Sequence, residues 1–582
     1  MNALTASAAI STGRVQLANV RQKSLLVAKV RVLVVLLLFV IATAACIIRI
    51  GQLGLFEPAP RSASMAEALL PPRGEIVDRN GVPLARAFPA YALWFNPEVF
   101  GESGMPLVKS PQEVADALVA IFPDLDHADV LRRLKSDKPS YLRRRLLPEE
   151  ANRVHSLGEP ALEFPRENQR FYPQGSLAAH VLGYVDGEGV GHVGMEQVLN
   201  QRLDDPAMRG TPAVLSIDMR VQGALEDELY KGMLESNAKG AGGIILDVDT
   251  GEVIALASLP SFNPNRSDQA LNDLVFNRMT NQVYELGSTF KPITIAAAID
   301  AGVVTDMAKR YPSGAPLKIG GFQIRDSHPL GASLNVPEAL IHSSNIVTAQ
   351  VADQLGGPAM KQTMIALGMN ARPVIELPAR GFPLFPRETD KAGNWARITT
   401  MTVSYGHGIA VTPLHLAAAY AAMVNGGIWR PATLIKADPA NLAQGRRVFK
   451  AATSARMRQL LRMIVVDGTG RSANAPGFRI GGKTGSAEKP GTNGGGYNRT
   501  SLVATFAAAF PMDKPRYVII TMLDEPQGTV ATSFQRTAAW NAAPIVGRVV
   551  PRIAPLLGIM PDEARDVDIS DLSPLVGNGD GE

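Results

Sequence analysis

Cysteine is almost absent from this sequence, because Cys46 is the only one among 582 residues. A single cysteine excludes a disulfide bond within the chain and any cysteine-based metal site. The eight histidines are scattered, and no two of them stand at metal-ligand spacing beside a carboxylate. We therefore expect no metal and no other cofactor.

Acidic residues are missing from the first 31 positions, which carry five basic side chains. These five exceed the formal net charge of +4 of the whole chain, so the remaining 551 of the 582 residues sum to about −1. A body with almost no net charge lacks the positive field that a nucleic-acid backbone requires. The composition thus excludes a nucleic-acid partner.

An uninterrupted apolar run from Val32 to Ile48 follows the basic segment. A helix of this length extends roughly 25 Å, and basic side chains on one flank keep that flank in the cytoplasm. We predict a cytoplasmic tail (1–31), one transmembrane anchor (32–50) and a linker (51–72). The rest of the chain is then outside the cytoplasm.

Two kinds of cleavage are alternatives to an uncleaved anchor. Ala42-Thr43-Ala44 resembles a signal-peptidase site, and Ala44-Ala45-Cys46 resembles a lipoprotein site that would leave Cys46 acylated. Thr43 stands where lipoprotein sites usually have a larger aliphatic residue, and the apolar run continues beyond Cys46. An uncleaved anchor is the favoured interpretation, with Cys46 as an apolar filler of the span.

The body of the chain is too long for a single hydrophobic core. Residues 73–230 mix short strands with charged helices and hold no convergent catalytic set, which indicates a noncatalytic domain. From Ala241, two apolar strands flank the turn Asp249-Thr250-Gly251 and predict a hairpin. The acidic segment 561–582 is expected to be disordered.

Two further strand candidates, Val503–Phe510 and Tyr517–Leu523, stand near the other end of residues 231–560. Helical stretches lie between these strands and the hairpin, for example at Lys291–Ala301 and Leu414–Val424. Strands contributed by both ends of a domain, with helices between them, predict an α+β fold. Its antiparallel sheet is flanked by helices.

Ser288 and Lys291 stand three residues apart where a predicted helix begins. Residues i and i+3 share a helix face, so the amine can reach the hydroxyl. A lysine in an apolar pocket beside other cations favours its neutral form and can act as a base. The pattern alone is weak, because it also occurs at Ser236–Lys239 and at Ser486–Lys489.

Two more patterns follow along the chain. Ser-x-Asn offers a hydroxyl that can relay a proton and an amide that can bind a peptide carbonyl. Four such tripeptides begin at Ser261, Ser333, Ser343 and Ser472. The run Lys483-Thr484-Gly485 is followed by Ser486, just ahead of a predicted strand, and its cation and hydroxyl can hold a carboxylate. Because Gly485 has no side chain, a substrate could lie along the edge of this strand.

The order Ser-x-x-Lys, Ser-x-Asn, Lys-Thr-Gly resembles the motif set of the penicillin-binding proteins. Similarity to the class B members covers nearly all of residues 70–560. It includes Arg170-Phe171-Tyr172-Pro173, the run from Gly191 to Glu196, and the run from Arg73 to Gly81. Ser404-Tyr405-Gly406-His407-Gly408 resembles the division-specific type, penicillin-binding protein 3 (FtsI).

The sequence departs from the family pattern at two positions. Leu286 stands where proline is common before Gly-Ser-Thr-Phe-Lys, and Ser486 stands where threonine is common after Lys-Thr-Gly. Both replacements look conservative in role.

The resemblance implies a penicillin-recognising transpeptidase fold that is preceded by an elongated pedestal domain. It further implies that Lys291 deprotonates Ser288, which attacks the carbonyl between two D-alanines of a stem peptide. Ser343 would pass the proton to the leaving D-alanine, and Asn345 would hold the amide of the donor peptide. Lys483 would sustain a positive field around Ser343.

For the substrate-binding strand, the resemblance implies that Thr484 and Ser486 hold the terminal carboxylate beside Gly485. Backbone N–H groups of Ser288 and Ser486 would form the oxyanion hole. His407 could serve as a base instead, but its flanking glycines favour a loop whose backbone matters.

The implied function is cross-linking of D-Ala-D-Ala stem peptides by a septal D,D-transpeptidase that β-lactams inhibit. The resemblance also implies a single-pass protein of the inner membrane with a periplasmic catalytic domain. Its partners would be an FtsW-like glycan polymerase and other division proteins.

An elongation-specific transpeptidase is the main alternative to a division role. A β-lactam hydrolase would need neither a span nor an extra domain, and a β-lactam sensor would need a larger cytoplasmic part than residues 1–31. A catalytically dead scaffold would be free to lose Ser288, Lys291 or Lys483, and all three are present.

Overall fold

The computed structural model describes residues 29–47, 49, 73–99, 107–266, 273–387, 393–490 and 496–577. The linker 51–72 and all but the last three residues of the predicted cytoplasmic tail lie outside these ranges.

Helix α1 spans Lys29–Ile47 and overlaps the predicted anchor 32–50. Its 19 residues extend about 28 Å, close to the roughly 30 Å of a hydrocarbon core. In the described part of the chain it is the one helix that is long and apolar enough to cross a membrane.

The N-terminal domain is built on a mixed sheet in the order β3-β2-β1-β6, with β4 and β5 also paired to β2. Its elements are β1 (Ile76–Val77), β2 (Pro83–Phe95), α2 (Pro111–Ile121), α3 (His127–Leu134), β3 (Ser140–Leu146), α4 (Pro148–His155), β4 (Leu162–Glu163), β5 (Arg166–Phe171), α5 (Ala179–Leu182), α6 (Gly194–Val198), α7 (Asn200–Asp204) and β6 (Ala213–Val214). The long strand β2 is rich in aromatic and aliphatic residues that suit a half-buried strand. Helices α2 to α4 pack apolar residues such as Leu118 and Val154 on it.

A buried carboxylate joins the segments of this domain that carry the family resemblance. Glu196 has no exposed surface and accepts hydrogen bonds from Nη2 of Arg73 at 3.0 Å and Nε of Arg170 at 2.6 Å. Arg170 also donates to the carbonyl oxygen of Gly74 at 2.7 Å. The two guanidinium groups need this partner, because an unpaired charge in the interior is costly.

The C-terminal domain has a five-stranded sheet in the order β15-β16-β17-β7-β8, antiparallel throughout. Its strands and helices are α8 (Met219–Glu235), β7 (Gly240–Asp247), β8 (Val253–Leu259), α9 (Lys291–Asp300), β9 (Tyr311–Pro312), β10 (Leu317–Ile319), β11 (Phe322–Ile324), β12 (Ser333–Leu334), α10 (Val336–Ile341), α11 (Asn345–Leu355), α12 (Gly357–Ala366), α13 (Arg397–Val403), α14 (Pro413–Val424), β13 (Ile428–Trp429), β14 (Arg446–Arg447), α15 (Ala451–Val466), β15 (Gly481–Pro490), β16 (Tyr497–Phe510), β17 (Tyr517–Asp524) and α16 (Ala542–Ile553). A 3₁₀ turn, Gly287–Phe290, leads directly into α9. The predicted hairpin and the predicted terminal strands are all present.

Helices cover both faces of this sheet. Successive residues of a strand point to opposite faces, so Ile244 of β7 joins the cluster that contains α14, while Ile245 joins the cluster that contains α8 and α16. Strands β7 and β17 are buried along their whole length, which explains their continuous apolar sequences. The prediction of an antiparallel sheet flanked by helices is confirmed.

Two of the expected domain bounds do not coincide with breaks in the structure. The expected boundary between residues 230 and 231 falls inside α8, whose Leu225 and Leu229 pack with the C-terminal sheet. The segment 561–577, expected to be disordered, is ordered by ion pairs such as that of Asp566 with Arg462, and Leu572 is buried. The acidic composition predicted that this segment is solvated and disordered, but arginine side chains of α15 form ion pairs with its carboxylates. Residues 578–582 lie outside the described part.

Replacing the buried carboxylate tests its structural role. Glu196→Ala should lower the free energy of unfolding by about 3–5 kcal/mol, because two buried guanidinium groups lose the carboxylate that they share and Arg73 keeps only the half-exposed Asp204. Denaturant unfolding of the full chain in detergent measures this loss. Glu149→Ala, on the exposed face of α4, should change it by less than about 0.5 kcal/mol. Equal effects of the two substitutions would contradict the role of Glu196.

Candidate active site

Ser288 lies in the 3₁₀ turn Gly287–Phe290, and Lys291 is the first residue of α9. The turn packs against the edge strand β15, because a Cβ atom on Gly485 would lie 2.5 Å from the carbonyl oxygen of Leu286. Gly485 is therefore required for the approach of two protein segments. Its missing side chain makes room for the turn, and the expectation that a substrate lies along this edge stays a prediction.

Lys291 joins the first motif to the second. Its side chain is wholly buried, and Nζ donates hydrogen bonds to the carbonyl oxygen of Ser343 and, at 3.0 Å, to Oγ of Ser343. Ser343 follows α10 with a φ of +61°, in the left-handed region that non-glycine residues seldom adopt. Within the described residues, the hydroxyl of Ser288 forms no hydrogen bond with either of them.

The other three Ser-x-Asn tripeptides have structural hydrogen bonds. Ser261 donates to the carbonyl oxygen of Ser176, and Ser472 donates to that of Ala539. Ser333 accepts a hydrogen bond from Arg310. Of the four, Ser343-Ser344-Asn345 is the tripeptide that the fold brings to Lys291.

Burial and a second cation act on the amine of Lys291. Burial holds the pKa of Lys291 well below its ordinary value, and the positive charge of Lys483 lowers it further. The carboxylate of Asp326 acts in the opposite direction. Lys483 is also wholly buried, which lowers its pKa to about 7. A buried amine near another cation is favoured in its neutral form, the form that accepts a proton.

Lys483 and Thr484 lie within a strand of their own, β15, which precedes the predicted strand β16 and pairs with it from Gly481 onward. Nζ of Lys483 donates to the carbonyl oxygen of Thr484 at 3.2 Å and to its Oγ1 at 3.3 Å. The hydroxyl of Thr469, in the loop after α15, lies 2.8 Å from that of Thr484. Thr484 thus presents a hydroxyl beside a cation.

The hydroxyl of Ser486 is engaged on the same strand. It accepts a hydrogen bond from the backbone N–H of Ala538 at 3.0 Å, and its own O–H remains able to donate. The backbone of Ser486 adjoins the Ser288 turn, because a Cβ on Gly287 would lie 3.2 Å from the carbonyl oxygen of Ser486. The two residues that the resemblance assigns to the oxyanion hole therefore lie on adjacent segments.

Asn345 is half-buried at the start of α11, and its Nδ2 donates to the carbonyl oxygen of Arg325 at 2.8 Å. Sequence reasoning missed two residues at this site, Asp326 and Thr469. Neither belongs to a motif, and each reaches the site from an irregular loop. A short sequence motif could not have identified them, because each forms its hydrogen bond with a residue in another element of the structure.

His407 lies near the Ser288 turn but contacts a different residue. Its Nδ1 is 3.3 Å from Oε2 of Glu285, and the same carboxylate accepts hydrogen bonds from the N–H of Gly408 at 3.0 Å and the hydroxyl of Tyr497 at 3.0 Å. A Cβ on Gly406 would lie 2.2 Å from the carbonyl oxygen of Gly287. The backbone of this loop therefore packs directly on the turn.

Comparison with known proteins agrees with this geometry. Residues 241–549 match the model of the penicillin binding protein transpeptidase domain, and residues 68–228 match that of the penicillin-binding protein dimerisation domain. The chain is 39% identical to a probable peptidoglycan D,D-transpeptidase FtsI of Caulobacter vibrioides, over 88% of this chain and 85% of that protein. It is 28% identical to the peptidoglycan D,D-transpeptidase FtsI of Escherichia coli, over 88% of each chain.

A solved structure shares the fold. Penicillin-binding protein 3 from Mycobacterium tuberculosis, complexed with aztreonam, superposes with a TM-score of 0.65 at 24% identity, covering 86% of this chain and 99% of that one. Matching models across both domains, together with close relatives over most of the length, establish the family. The chain belongs to the class B penicillin-binding proteins of the FtsI, or penicillin-binding protein 3, type.

Proposed function

We propose that this chain is a division-type peptidoglycan D,D-transpeptidase and a β-lactam target, with Ser288 as the residue that is acylated. One observation carries the residue assignment. The wholly buried amine of Lys291 donates to Ser343 within the positive field of Lys483. The names of the FtsI relatives support the activity and favour division over elongation.

The first half-reaction forms an ester. Oγ of Ser288 attacks the carbonyl carbon between two D-alanines, and its proton passes to the neutral amine of Lys291. The C–N bond then breaks, and the departing D-alanine takes a proton that Ser343 relays from Lys291. The contact of 3.0 Å between Nζ of Lys291 and Oγ of Ser343 supports this relay.

The second half-reaction transfers the acyl group. An amine of a second stem peptide attacks the ester carbonyl, a new amide bond forms as the C–O bond to Ser288 breaks, and the proton of the amine returns to Oγ of Ser288. Asn345 holds the amide of the donor peptide, and its half-buried position at the start of α11 supports this role. Thr484 and Ser486 hold the terminal carboxylate beside the charge of Lys483.

Location follows from the basic segment and the apolar helix. We propose a single-pass protein of the inner membrane, with the N-terminus in the cytoplasm and the catalytic domain in the periplasm. The apolar helix α1 supports a span. An FtsW-like glycan polymerase and other division proteins are the proposed partners, since cross-links are made in newly polymerised strands.

Acylation by a fluorescent penicillin tests the nucleophile and its base. Membranes containing the full chain should be labelled, whereas Ser288→Ala should abolish labelling and Lys291→Ala should slow it by orders of magnitude. Ser236→Ala is the matched control, because Ser236 also precedes a lysine by three residues but donates to the carbonyl oxygen of Gly232. Labelled Ser288→Ala protein would refute the assignment.

The carboxylate site is tested by deleting one hydroxyl. Thr484→Val should slow acylation about 10- to 150-fold, since a hydrogen bond to a charged group contributes roughly 1.5–3 kcal/mol. Analogues in which a neutral amide replaces the carboxylate should lose almost nothing. Thr505→Val on β16 is the control, because the hydroxyl of Thr505 has no partner among the described residues. Equal losses for both ligands would place the carboxylate elsewhere.

Topology is tested by a reporter that is active only outside the cytoplasm. Fused after Gly74, the reporter should be active, because five positive charges ahead of Val32 hold the other flank in the cytoplasm. The intact protein should also remain with membranes after a high-salt wash. Release by salt, or an N-terminus near Ala45 or Cys46 by mass spectrometry, would contradict an uncleaved anchor.

A further inference from the structure

A surface pocket of about 250 Å³ lies between the end of α12, the start of α14 and the strands β13 and β14. Its walls are mostly aliphatic, with Leu367 just after α12 and with Leu414 and Ala418 on α14. An apolar cavity of about 150 Å³ is already large enough to hold a benzene ring. The pocket therefore has room for one small ring, or a short alkyl chain, together with a polar group.

One wall of the pocket contains a buried donor without an acceptor. The indole N–H of Trp429 is buried and forms no hydrogen bond with any of the described residues. Buried donors in proteins are almost always paired, because an unpaired one is unfavourable. An acceptor atom of a bound ligand would satisfy this N–H group.

A guanidinium group lies beside this donor. Trp429 and Arg446 are direct partners in the antiparallel pair of β13 and β14. Cζ of Arg446 lies 4.1 Å from the centroid of the Trp429 ring, and Nε donates to the carbonyl oxygen of Ala366 at 2.7 Å. Stacking on the ring and one backbone acceptor leave the terminal nitrogens of Arg446 able to donate.

The end of α12 closes the pocket against these two side chains. A Cβ atom on Gly368 would lie 3.4 Å from Cζ2 of Trp429 and 3.7 Å from Nη2 of Arg446. Gly368 has a φ of +80°, the left-handed conformation with which many helices end. The indole and the guanidinium group are therefore held on one side of the pocket.

The lining of the pocket is positively charged. Among the described residues that line it, Arg372 and Arg446 are basic and none is acidic. Burial lowers the pKa of Arg446, and no carboxylate in the described part of the chain raises it. His415 is neutral, because burial lowers its pKa to about 4, and its Nε2 donates to the carbonyl oxygen of Ala371 at 2.9 Å. A carboxylate is the group that suits such a set of donors.

We propose that this pocket is a binding site for a small apolar monocarboxylate, which accepts hydrogen bonds from Arg446 and from the indole N–H of Trp429. The apolar part of the ligand lies against α14. Binding here does not depend on the acylation of Ser288. Helix α14 nevertheless contacts both places, because the hydroxyl of Tyr420 donates to the carbonyl oxygen of Thr289 at 2.9 Å.

Titration with benzoate and with its neutral analogue benzamide tests the class of ligand. Ligand-observed NMR of the full chain in detergent, with detergent alone as the blank, should show saturable binding of benzoate. Benzamide should bind at least about 10-fold more weakly, because it cannot form a charge-assisted hydrogen bond with Arg446. Arg446→Gln should weaken benzoate binding about 10-fold or more and remove the preference over benzamide. Trp429→Phe keeps a ring but deletes the donor, and it should weaken benzoate binding about 10-fold.

Two matched variants control for changes outside the pocket. Arg447→Gln removes the next charge on β14, and Trp540→Phe changes a half-exposed tryptophan. Neither residue lines the pocket, so both variants should bind benzoate as the wild type does. Ala371→Leu adds bulk to the lining from an exposed position and should weaken the binding of both ligands.

The outcomes decide the inference without reference to penicillin labelling. Absence of saturable benzoate binding, or equal affinities for benzoate and benzamide, would overturn it. Equal losses in Arg446→Gln and Arg447→Gln would also overturn it, because the charge would then act from outside the pocket. If Arg446→Gln does not fold, unchanged benzoate binding in Ala371→Leu refutes the site, and reduced binding there supports it.

Discussion

Two lysine side chains, Lys291 and Lys483, are buried without any exposed surface in one site, and the organisation of the site follows from that constraint. Removing an ammonium group from water is costly, and two such groups near each other repel. The cost is met by carbonyl and hydroxyl acceptors around each amine and by the carboxylate of Asp326. The consequence is a Lys291 amine that is favoured in its neutral form, the form that accepts a proton.

The sheet makes this burial possible. Strand β15 carries Lys483 at the edge of a sheet whose other strands come from both ends of the domain. Gly485 lets the Ser288 turn approach that edge so closely that a side chain would clash with the turn. Helix α9 then directs Lys291 inward from the same turn. Candidate catalytic residues almost 200 positions apart in sequence are therefore held by one packing contact.

Much of this arrangement is readable in the sequence, because it depends on local patterns. The apolar runs of β7 and β17 predict strands, and the motif order identifies Ser288, Lys291 and Lys483 as candidates. Contacts between remote segments are not readable. Asp326 belongs to no motif, and the acidic end of the chain looks solvated until its partners on α15 are known. The composition of a segment gives its own charges but not the charges of the residues that pack against it.

The pH dependence of acylation tests the central claim that burial and Lys483 keep Lys291 neutral. A neutral amine is the reactive form, so the rate rises with pH through the pKa of Lys291 and then stops rising. Because that pKa is lowered, the rate constant for a fluorescent penicillin should stop rising well below pH ~10.4, the ordinary value for lysine. A rate that still rises up to that pH would contradict the account.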